Sequence, residues 1–296
     1  MKRVDIKTGF VCNNKCLFCV QADNRLTGNR SFEEIKKNLE EVKDKCTGVV
    51  LTGGEVTIRT DFLEVVKYAK KLGYETIQIQ SNGRMFSSID FCKKTIEAGA
   101  TEFAPALHGY TAEQHDYLTN AKSFNQTLKG IYNLKSLGAK VIMNTVILKP
   151  NYKDLPKIAN LLCNLKVDQF QLAFVHAIGN AWDNYEEMVP KMSETVPYIK
   201  EAIDIGIKNN IFVMVEAVPF CLMEGYEKHI SENYIPETVI RGVDFQNTDD
   251  YKNQRMSSGK KKFPQCKNCK YDQICEGVWK EYPEKFGEKE FIPVIK

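Results

Sequence analysis

The chain has 296 residues, enough for one large α/β domain with a smaller appendage. It is 43% hydrophobic and 27% charged, and its net charge of +3 is too small to favour a nucleic-acid partner. No apolar stretch approaches the ~18 residues of a membrane span, and the start has no signal-peptide core, so we expect a cytoplasmic protein with reduced thiols. Its ten cysteines therefore need a role other than disulfide formation.

Short apolar runs alternate with helical patterns up to about residue 176. Six of the runs are typical of buried strands, and in chain order they are VDIKTGF, GVVLTGG, TIQIQSNG, EFAPALHG, KVIMNTVI and QFQLAFVH. Ser31 and Glu34 form a capping-box pattern before the first helix. Asp61 suits the start of the second helix and Gly73 its end, and the sixth helix is expected within residues 193–209. Apolar strands linked by helices predict a parallel sheet, either a barrel or a doubly wound open sheet.

Unusual residues follow each predicted strand, at the edge where parallel α/β proteins place their chemistry. In strand order they are Cys12, Cys16 and Cys19, then Gly53, Gly54 and Glu55, then Ser81, Asn82 and Gly83, then His108 and Gly109, then Asn144, and finally His176. Folding would bring them to one rim. The amides, the serine and the histidines could contact a ligand there, or they could simply satisfy local hydrogen bonds.

The first three cysteines are spaced C-x3-C-x2-C. Three thiolates from one loop can hold three irons of a cubane [4Fe-4S] cluster, whereas complete protein ligation takes four cysteines. The missing ligand would leave one iron open to a substrate or cofactor. Zinc is the competing interpretation, but structural zinc also prefers four ligands, and no further Cys or His follows nearby.

This motif, with Phe18 just before its last cysteine, resembles the signature of the radical S-adenosylmethionine (SAM) enzymes. TGGEVT resembles their Gly-Gly-Glu motif, and SNG and LHG resemble strand-end motifs of the subgroup that contains the molybdopterin-precursor synthase and peptide-modifying enzymes. The resemblance covers residues 4 to about 176. It implies an α/β fold, a partial (β/α)6 TIM-like barrel, which we place in residues 1–210.

The resemblance also implies roles for residues. Cys12, Cys16 and Cys19 would ligate three irons, and the amino and carboxylate groups of SAM would bind the fourth. Phe18 would lie beside the adenine; Gly53, Gly54 and Glu55 would meet the methionine ammonium; Ser81, Asn82 and Asn144 could reach the ribose or the carboxylate. An electron from a low-potential donor such as a flavodoxin or ferredoxin would break a C–S bond of SAM. The resulting 5'-deoxyadenosyl radical would remove hydrogen from a small-molecule or peptide substrate.

Residues 211–296 are expected to form a small irregular extension, with weak periodicity over residues 219–265. Cys266, Cys269 and Cys275 have the spacing C-x2-C-x5-C. The resemblance implies an auxiliary [4Fe-4S] cluster of the short, single-cluster kind (twitch/SPASM-like), because Trp279 stands where longer versions have a further cysteine. A zinc knuckle fits the same spacing.

Cys221 is the leading candidate for a fourth ligand of that auxiliary site, since it is the remaining cysteine outside the six barrel units. Two other roles stay open, a free thiol that returns hydrogen to a substrate radical and a packed hydrophobe. Cys46, Cys92 and Cys163 lie in helical patterns and are expected to be buried.

The sequence indicates the substrate less closely than it indicates the cofactors. Strand one starts within the first few residues, so we expect no leader-binding domain here, which favours a small metabolite over a peptide unless a separate protein binds the leader. The stretch NAWDNYEEMVP, residues 180–190, could form one wall of a substrate cleft or a surface loop. A non-catalytic iron–sulfur electron carrier, or a zinc scaffold, is the alternative from another class. An electron carrier has no use for an iron that lacks a protein ligand or for the Gly-Gly-Glu turn, so both features favour an enzyme.

Overall fold

A computed structural model describes residues 2–243 and 247–295 of the chain. Its main sheet contains the strands β1 (Lys2–Lys7), β2 (Gly48–Thr52), β3 (Thr76–Ser81), β4 (Glu102–Pro105), β5 (Lys140–Ile147), β6 (Gln169–Phe174), β7 (Phe212–Glu216) and β8 (Glu237–Arg241). All neighbouring strands are parallel, in the order β7-β6-β5-β4-β3-β2-β1-β8. The sheet curls into an open half-barrel, which confirms the predicted α/β partial barrel.

The six predicted strands are β1 to β6, and two further strands extend the sheet at its edges. β8 pairs with β1 from Lys2 opposite Glu237 to Ile6 opposite Arg241. The expectation of an irregular segment over residues 219–265 was wrong at β8, because the short run at residues 238–240 is too brief to give a clear period. The boundary placed after residue 210 falls just before β7, and β7 pairs with β6. The sheet thus continues into the C-terminal segment.

The connections between consecutive strands from β1 to β7 contain helices. These helices are α1 (Phe32–Val42), α2 (Phe62–Lys71), α3 (Ile89–Ala98), α4 (Ala112–Thr119), α5 (Phe124–Ser136), α6 (Leu155–Asn164), α7 (Asn180–Asp183), α8 (Tyr185–Met188) and α9 (Met192–Lys208). α9 confirms the helix expected within residues 193–209. α4 was not predicted, because its sequence AEQHDYLT carries few apolar residues. None of the helices in the described part of the chain has the length and apolarity needed to cross a membrane.

Local signals at the helix ends were mostly correct. The capping box of α1 is present, with the Glu34 amide donating to Ser31 Oγ and the Ser31 amide donating to Glu34 Oε2 at 2.7 Å. Gly73 follows α2 with a φ of +81°, a conformation that favours glycine. The predicted capping role of the Asp61 side chain was wrong, because this side chain makes no capping hydrogen bond to α2. Its carboxylate instead binds the Arg59 guanidinium at 2.7 and 2.9 Å.

The two faces of the sheet differ in polarity. Val4 and Ile6 point outward into the core under the helices and are 0% exposed. Alternate residues point into the concave face, where the register places Asp5, Gln78 and Glu102 in one row. Several concave-face residues of β4 to β7 remain partly exposed. The interior of the half-barrel is therefore a partly solvent-accessible wall of mixed polar and apolar side chains.

The C-terminal extension is built from short elements. They are α10 (Tyr251–Gln254), β9 (Lys260–Lys261), β10 (Val278–Trp279) and α11 (Tyr282–Phe286). β9 and β10 form a small antiparallel pair. Trp279 stacks on His176, which follows β6, with ring centroids 3.9 Å apart and an angle of 7° between the planes. This contact fixes the extension against the rim of the half-barrel.

Candidate active site

The loop after β1 carries Cys12, Cys16 and Cys19, and the loop after β2 lies directly against it. The amide of Gly54 donates to the carbonyl of Gly9 at 2.8 Å, and the amide of Glu55 donates to the carbonyl of Val11 at 2.9 Å. A Cβ on Gly53 or Gly54 would collide with these carbonyl oxygens. The two glycines therefore allow two backbones to touch, and their predicted approach to the methionine ammonium stays a prediction.

Glu55 joins the second loop to the third. Its side chain is 2% exposed and accepts hydrogen bonds from the Ser81 hydroxyl at 2.8 Å and the Asn82 amide at 2.6 Å. The amide and hydroxyl of Thr57 donate to the same carboxylate. Burial raises the pKa of Glu55, while these hydrogen bonds act in the opposite direction. The Ser81 hydroxyl and the Glu55 carboxylate are thus engaged within the protein.

The third loop holds the cysteine loop in place. The side-chain amide of Asn82 donates to Asn13 Oδ1 at 2.6 Å. Arg84 Nη1 donates to the Asn13 carbonyl at 2.6 Å and to Asn14 Oδ1 at 3.0 Å. These contacts secure the residues between Cys12 and Cys16. Sequence reasoning missed Arg84, although a lone arginine directly after a strand-end Ser-Asn-Gly could have indicated a contact with a neighbouring loop.

The three thiols of this loop are close enough to affect one another. Burial, followed by the neighbouring Cys19 and Cys12 thiols, raises the pKa of Cys16 to about 12. The amide of Asn14 donates to Cys12 Sγ at 3.4 Å. Within the described residues, no three His, Cys, Asp or Glu side chains are arranged to hold a single metal ion. The ligands of a four-iron cluster, by contrast, each bind a different iron.

Phe18 and two histidines pack behind the cysteine loop. Phe18 is 7% exposed, and its ring meets the His108 ring edge-on at 4.8 Å. Burial, followed by the nearby His115, lowers the pKa of His108 to about 3. His108 Nδ1 accepts a hydrogen bond from the Val146 amide at 3.2 Å. A neutral imidazole that accepts a backbone hydrogen bond fits the structural role, one of the two roles left open for it.

Asn144 lies on the concave face of β5 and retains an unused acceptor. Its backbone carbonyl accepts from the Leu107 amide at 3.1 Å, but its side-chain Oδ1 is buried without a hydrogen-bond partner in the described part of the protein. Buried polar atoms are normally paired, so an unpaired one on a partly open wall fits a bound ligand. Of the amides and hydroxyls predicted to contact a cofactor, Asn144 is the best placed to do so.

An open groove runs beside the cysteine loop. It is lined by Asp23, Ala177, Ile178, Gly179, Trp182, Asp183, Glu281 and Glu284. The amide of Asn180 donates to the Cys19 carbonyl at 3.1 Å, which fixes this wall to the loop. Part of the stretch at residues 180–190 thus lines a cleft. His176 Nε2 lies 3.1 Å from Glu281 Oε2, so His176 has both a stacking and a polar partner.

Four thiols meet in the extension. Cys221, Cys266, Cys269 and Cys275 all line one cavity. Burial, followed by the other three thiols, raises the pKa of Cys221 to about 12. The Phe263 amide donates to Cys266 Sγ, and the Gly277 amide to Cys275 Sγ, both at 3.4 Å. Cys46, Cys92 and Cys163 are buried as expected, and none of the ten cysteines forms a disulfide in the described chain.

Fold and site together define an α/β half-barrel protein with a three-thiol loop at the carboxyl edge of its sheet. The family model "Radical SAM superfamily" matches residues 6–162, which is more than half of the chain. The chain belongs to this superfamily. The cofactors of the superfamily are a [4Fe-4S] cluster and S-adenosylmethionine. The neighbouring thiols of the loop and the unpaired Asn144 Oδ1 fit these groups.

Curated relatives share part of their length with this chain. A protein of Saccharolobus islandicus named "Probable GTP 3',8-cyclase" is 28% identical over 177 residues, covering 57% of this chain and 55% of that protein. A protein of the same name from Saccharolobus solfataricus is 30% identical over 173 residues, with the same coverage of 57% and 55%. The chain thus spans little more than half the length of these relatives.

Two solved structures share the fold over nearly the whole chain. SuiB of Streptococcus suis bound to its precursor peptide SuiA has a TM-score of 0.70 and 17% identity, covering 99% of this chain and 74% of that one. Native anSMEcpe with bound AdoMet has a TM-score of 0.69 and 15% identity, covering 94% of this chain and 89% of that one. At these identities the likeness establishes the fold.

Proposed function

We propose that this protein is a radical SAM enzyme whose cluster is held by Cys12, Cys16 and Cys19. When bound and reduced, the cluster and SAM supply a 5'-deoxyadenosyl radical that removes a hydrogen atom from the substrate. The observation that carries this proposal is the joining of three strand-end loops into one unit. Hydrogen bonds through Glu55, Asn82 and Arg84 tie the second and third loops to the loop that bears the thiols.

The protein's own residues would position the reactants. Backbone contacts also hold the far side of the cysteine loop, since the amides of Lys15 and Leu17 donate to carbonyls at the end of α4, each at 3.0 Å. Because the cysteine loop is held from several sides, its thiols keep fixed positions. Fixed thiols favour a cluster in which the iron without a protein ligand has a defined position. Phe18 packs behind the cysteine loop, and the Asn144 side chain offers a hydrogen-bond acceptor on the concave face.

For the substrate we favour a small polar metabolite. The curated relatives described above are named for a reaction of GTP, and the concave wall carries polar pairs suited to a polar ligand. Gln78 bonds Glu102 at 2.9 Å and Gln171 bonds Glu216 at 2.6 Å on this wall. A peptide is the second candidate, supported by the open groove beside Cys19 and by the fold shared with a peptide-bound enzyme. The electron would come from a flavodoxin or ferredoxin.

A direct assay separates these two substrates. Reconstituted, reduced protein would be incubated with SAM and with GTP, other polar metabolites or candidate precursor peptides, and the products identified by mass spectrometry. We expect consumption of the nucleotide, or of another polar metabolite, in step with 5'-deoxyadenosine formation. Modification of a peptide with no turnover of any metabolite would favour the second candidate.

We further propose that Cys221, Cys266, Cys269 and Cys275 ligate an auxiliary [4Fe-4S] cluster, because these four thiols share one cavity. A complete set of four ligands suits a closed cluster for electron transfer or structure. Cys221→Ala should lose about half of the iron bound by the reconstituted protein. Full iron with an altered product would instead assign Cys221 as a hydrogen donor, and full iron with unchanged chemistry would leave it a packing role.

Spectroscopy distinguishes this enzyme from an electron carrier or a zinc scaffold. After anaerobic reconstitution and reduction, the electron paramagnetic resonance (EPR) signal of the first cluster should change when SAM is added, because one iron lacks a protein ligand. An electron carrier with fully ligated clusters would give a signal insensitive to SAM. Zinc found at both cysteine sites of protein isolated without air would contradict the proposal.

A further inference from the structure

Arg255 is a buried arginine that binds three carboxylates. Its side chain is 3% exposed, with Nη1 at 2.7 Å from Glu216 Oε1, Nη2 at 2.7 Å from Glu232 Oε1 and Nε at 2.8 Å from Glu276 Oε2. The contacts to Glu216 and Glu232 are charge-assisted hydrogen bonds, whereas the contact to Glu276 is an ion pair without hydrogen-bond geometry. The planar fork of a guanidinium can reach three acceptors at once, which the single ammonium of a lysine does with poorer geometry.

The three carboxylates lie on the chain segments that supply the four thiols of the extension. Glu216 ends β7 and Glu232 follows further along, so the pair flanks Cys221 on both sides. Glu276 directly follows Cys275. The Ala217 amide also donates to Glu232 Oε1 at 2.9 Å, which closes the segment that contains Cys221. Arg255 therefore links the segment of Cys221 to the segment of the other three cysteines.

The surroundings make this link hard to replace. Lys260 Nζ lies 3.9 Å from Glu232 Oε1 and 3.9 Å from the centre of the Trp279 ring, and its side chain is 0% exposed. Two cations thus face three carboxylates in a cluster that is buried except at Glu216, whose side chain is 23% exposed. Without Arg255 the carboxylates would have too few partners, and buried charges in that condition move apart or take up water. Either response would separate the two cysteine segments.

We propose that Arg255 is the positioning residue of the four-thiol site, and that it sets the distance of Cys221 from Cys266, Cys269 and Cys275. Its role as support for an auxiliary cluster rests on the function proposed above. The positioning itself is a statement about the protein without metal. The two can therefore be tested separately.

The first experiment measures thiol proximity in the metal-free full-length protein. Diamide, a mild oxidant, takes one hydrogen from each of two neighbouring thiols and leaves a disulfide, which peptide mapping locates. We expect bonds between Cys221 and one of the other three thiols in the wild type, and a several-fold lower yield in Arg255→Lys. The matched control is Arg241→Lys. Arg241 is also buried and binds two carboxylates, Glu41 and Asp249, but neither lies on a segment that bears the four thiols.

The second experiment measures iron after anaerobic reconstitution. Arg255→Lys should hold about half of the wild-type iron while its first cluster still responds to SAM, and Arg241→Lys should hold the full amount. An unchanged yield of Cys221 disulfides in folded Arg255→Lys overturns the positioning role. An equal loss of these disulfides in Arg255→Lys and Arg241→Lys also overturns it. Normal disulfide yields with no second cluster in the wild type would instead refute the auxiliary cluster and leave the positioning role standing.

Discussion

At the scale of single residues, burial sets the protonation of two histidines behind the cysteine loop. The rings of His108 and His115 stack with centroids 5.9 Å apart. Burial lowers the pKa of His115 to about 4, and His115 Nδ1 accepts a hydrogen bond from the His108 amide at 3.1 Å. In the unfolded chain a histidine has a pKa of ~6.5. Between pH 6.5 and 4 the unfolded chain therefore binds protons that the folded protein does not.

This difference predicts a loss of stability in mild acid. The contribution of His115 is fully present above pH ~6.5 and falls by about 1.4 kcal/mol per pH unit below it. His115→Asn keeps an acceptor near the Nδ1 position and removes the titration. Between pH 7 and pH 5 the variant should lose about 2 kcal/mol less free energy of unfolding than the wild type, as measured by urea titration. Equal losses in the two proteins would show that His115 is not held neutral.

A second residue-scale prediction concerns Gly54. Because a Cβ at Gly54 would collide with the backbone of Phe10 and Val11, Gly54→Ala should displace the loop that leads to Cys12. We expect loss of the first cluster as well as weaker SAM binding, measured by iron content and equilibrium dialysis. Gly259→Ala is the matched control, since its nearest contact beyond its chain neighbours would be at an ordinary 3.7 Å. Full iron in Gly54→Ala would argue against the close loop contact.

At the scale of elements, β8 completes the sheet beside β1. Val239 is 1% exposed at the centre of β8, opposite Val4. Val239→Ala should lower the free energy of unfolding by about 2 kcal/mol, because a buried side chain loses its packing. Phe212→Ala on the opposite edge strand should cost less, since Phe212 is 38% exposed. Urea unfolding measures both, and a negligible effect at Val239 would mean that β8 adds little to the sheet.

Much of this level of structure could be predicted from sequence. Six strands and the rim residues followed from apolar runs of strand length and from the rule that parallel strands end at one edge. α4 and β8 were missed, since one has few apolar residues and the other is short. The partners of Ser81, Asn82 and Glu55 could not be foreseen, because hydrogen bonds between loops depend on tertiary geometry. Asp61 was missed for a local reason, since Arg59, two residues before it, binds its carboxylate.

At the scale of the whole molecule, the extension and the half-barrel are joined through side chains near both cysteine sites. Trp279 lies between His176 at the rim and Lys260 in the extension. Asn180 and Asn184 donate to the carbonyls of Cys16 and Leu17 at 2.8 and 2.9 Å, which links the groove wall to the cysteine loop. The two thiol sites therefore belong to one connected framework, with the concave wall available to a substrate.

The central claim is that Cys12, Cys16 and Cys19 form the site at which SAM is cleaved. The most direct measurement is the release of 5'-deoxyadenosine by anaerobically reconstituted, dithionite-reduced protein, followed by liquid chromatography. We predict release by the wild type, retention of some release by Cys221→Ala, and none above background by the variant in which Cys12, Cys16 and Cys19 are all alanine. Release by that triple variant at the wild-type rate would contradict the assignment of the site.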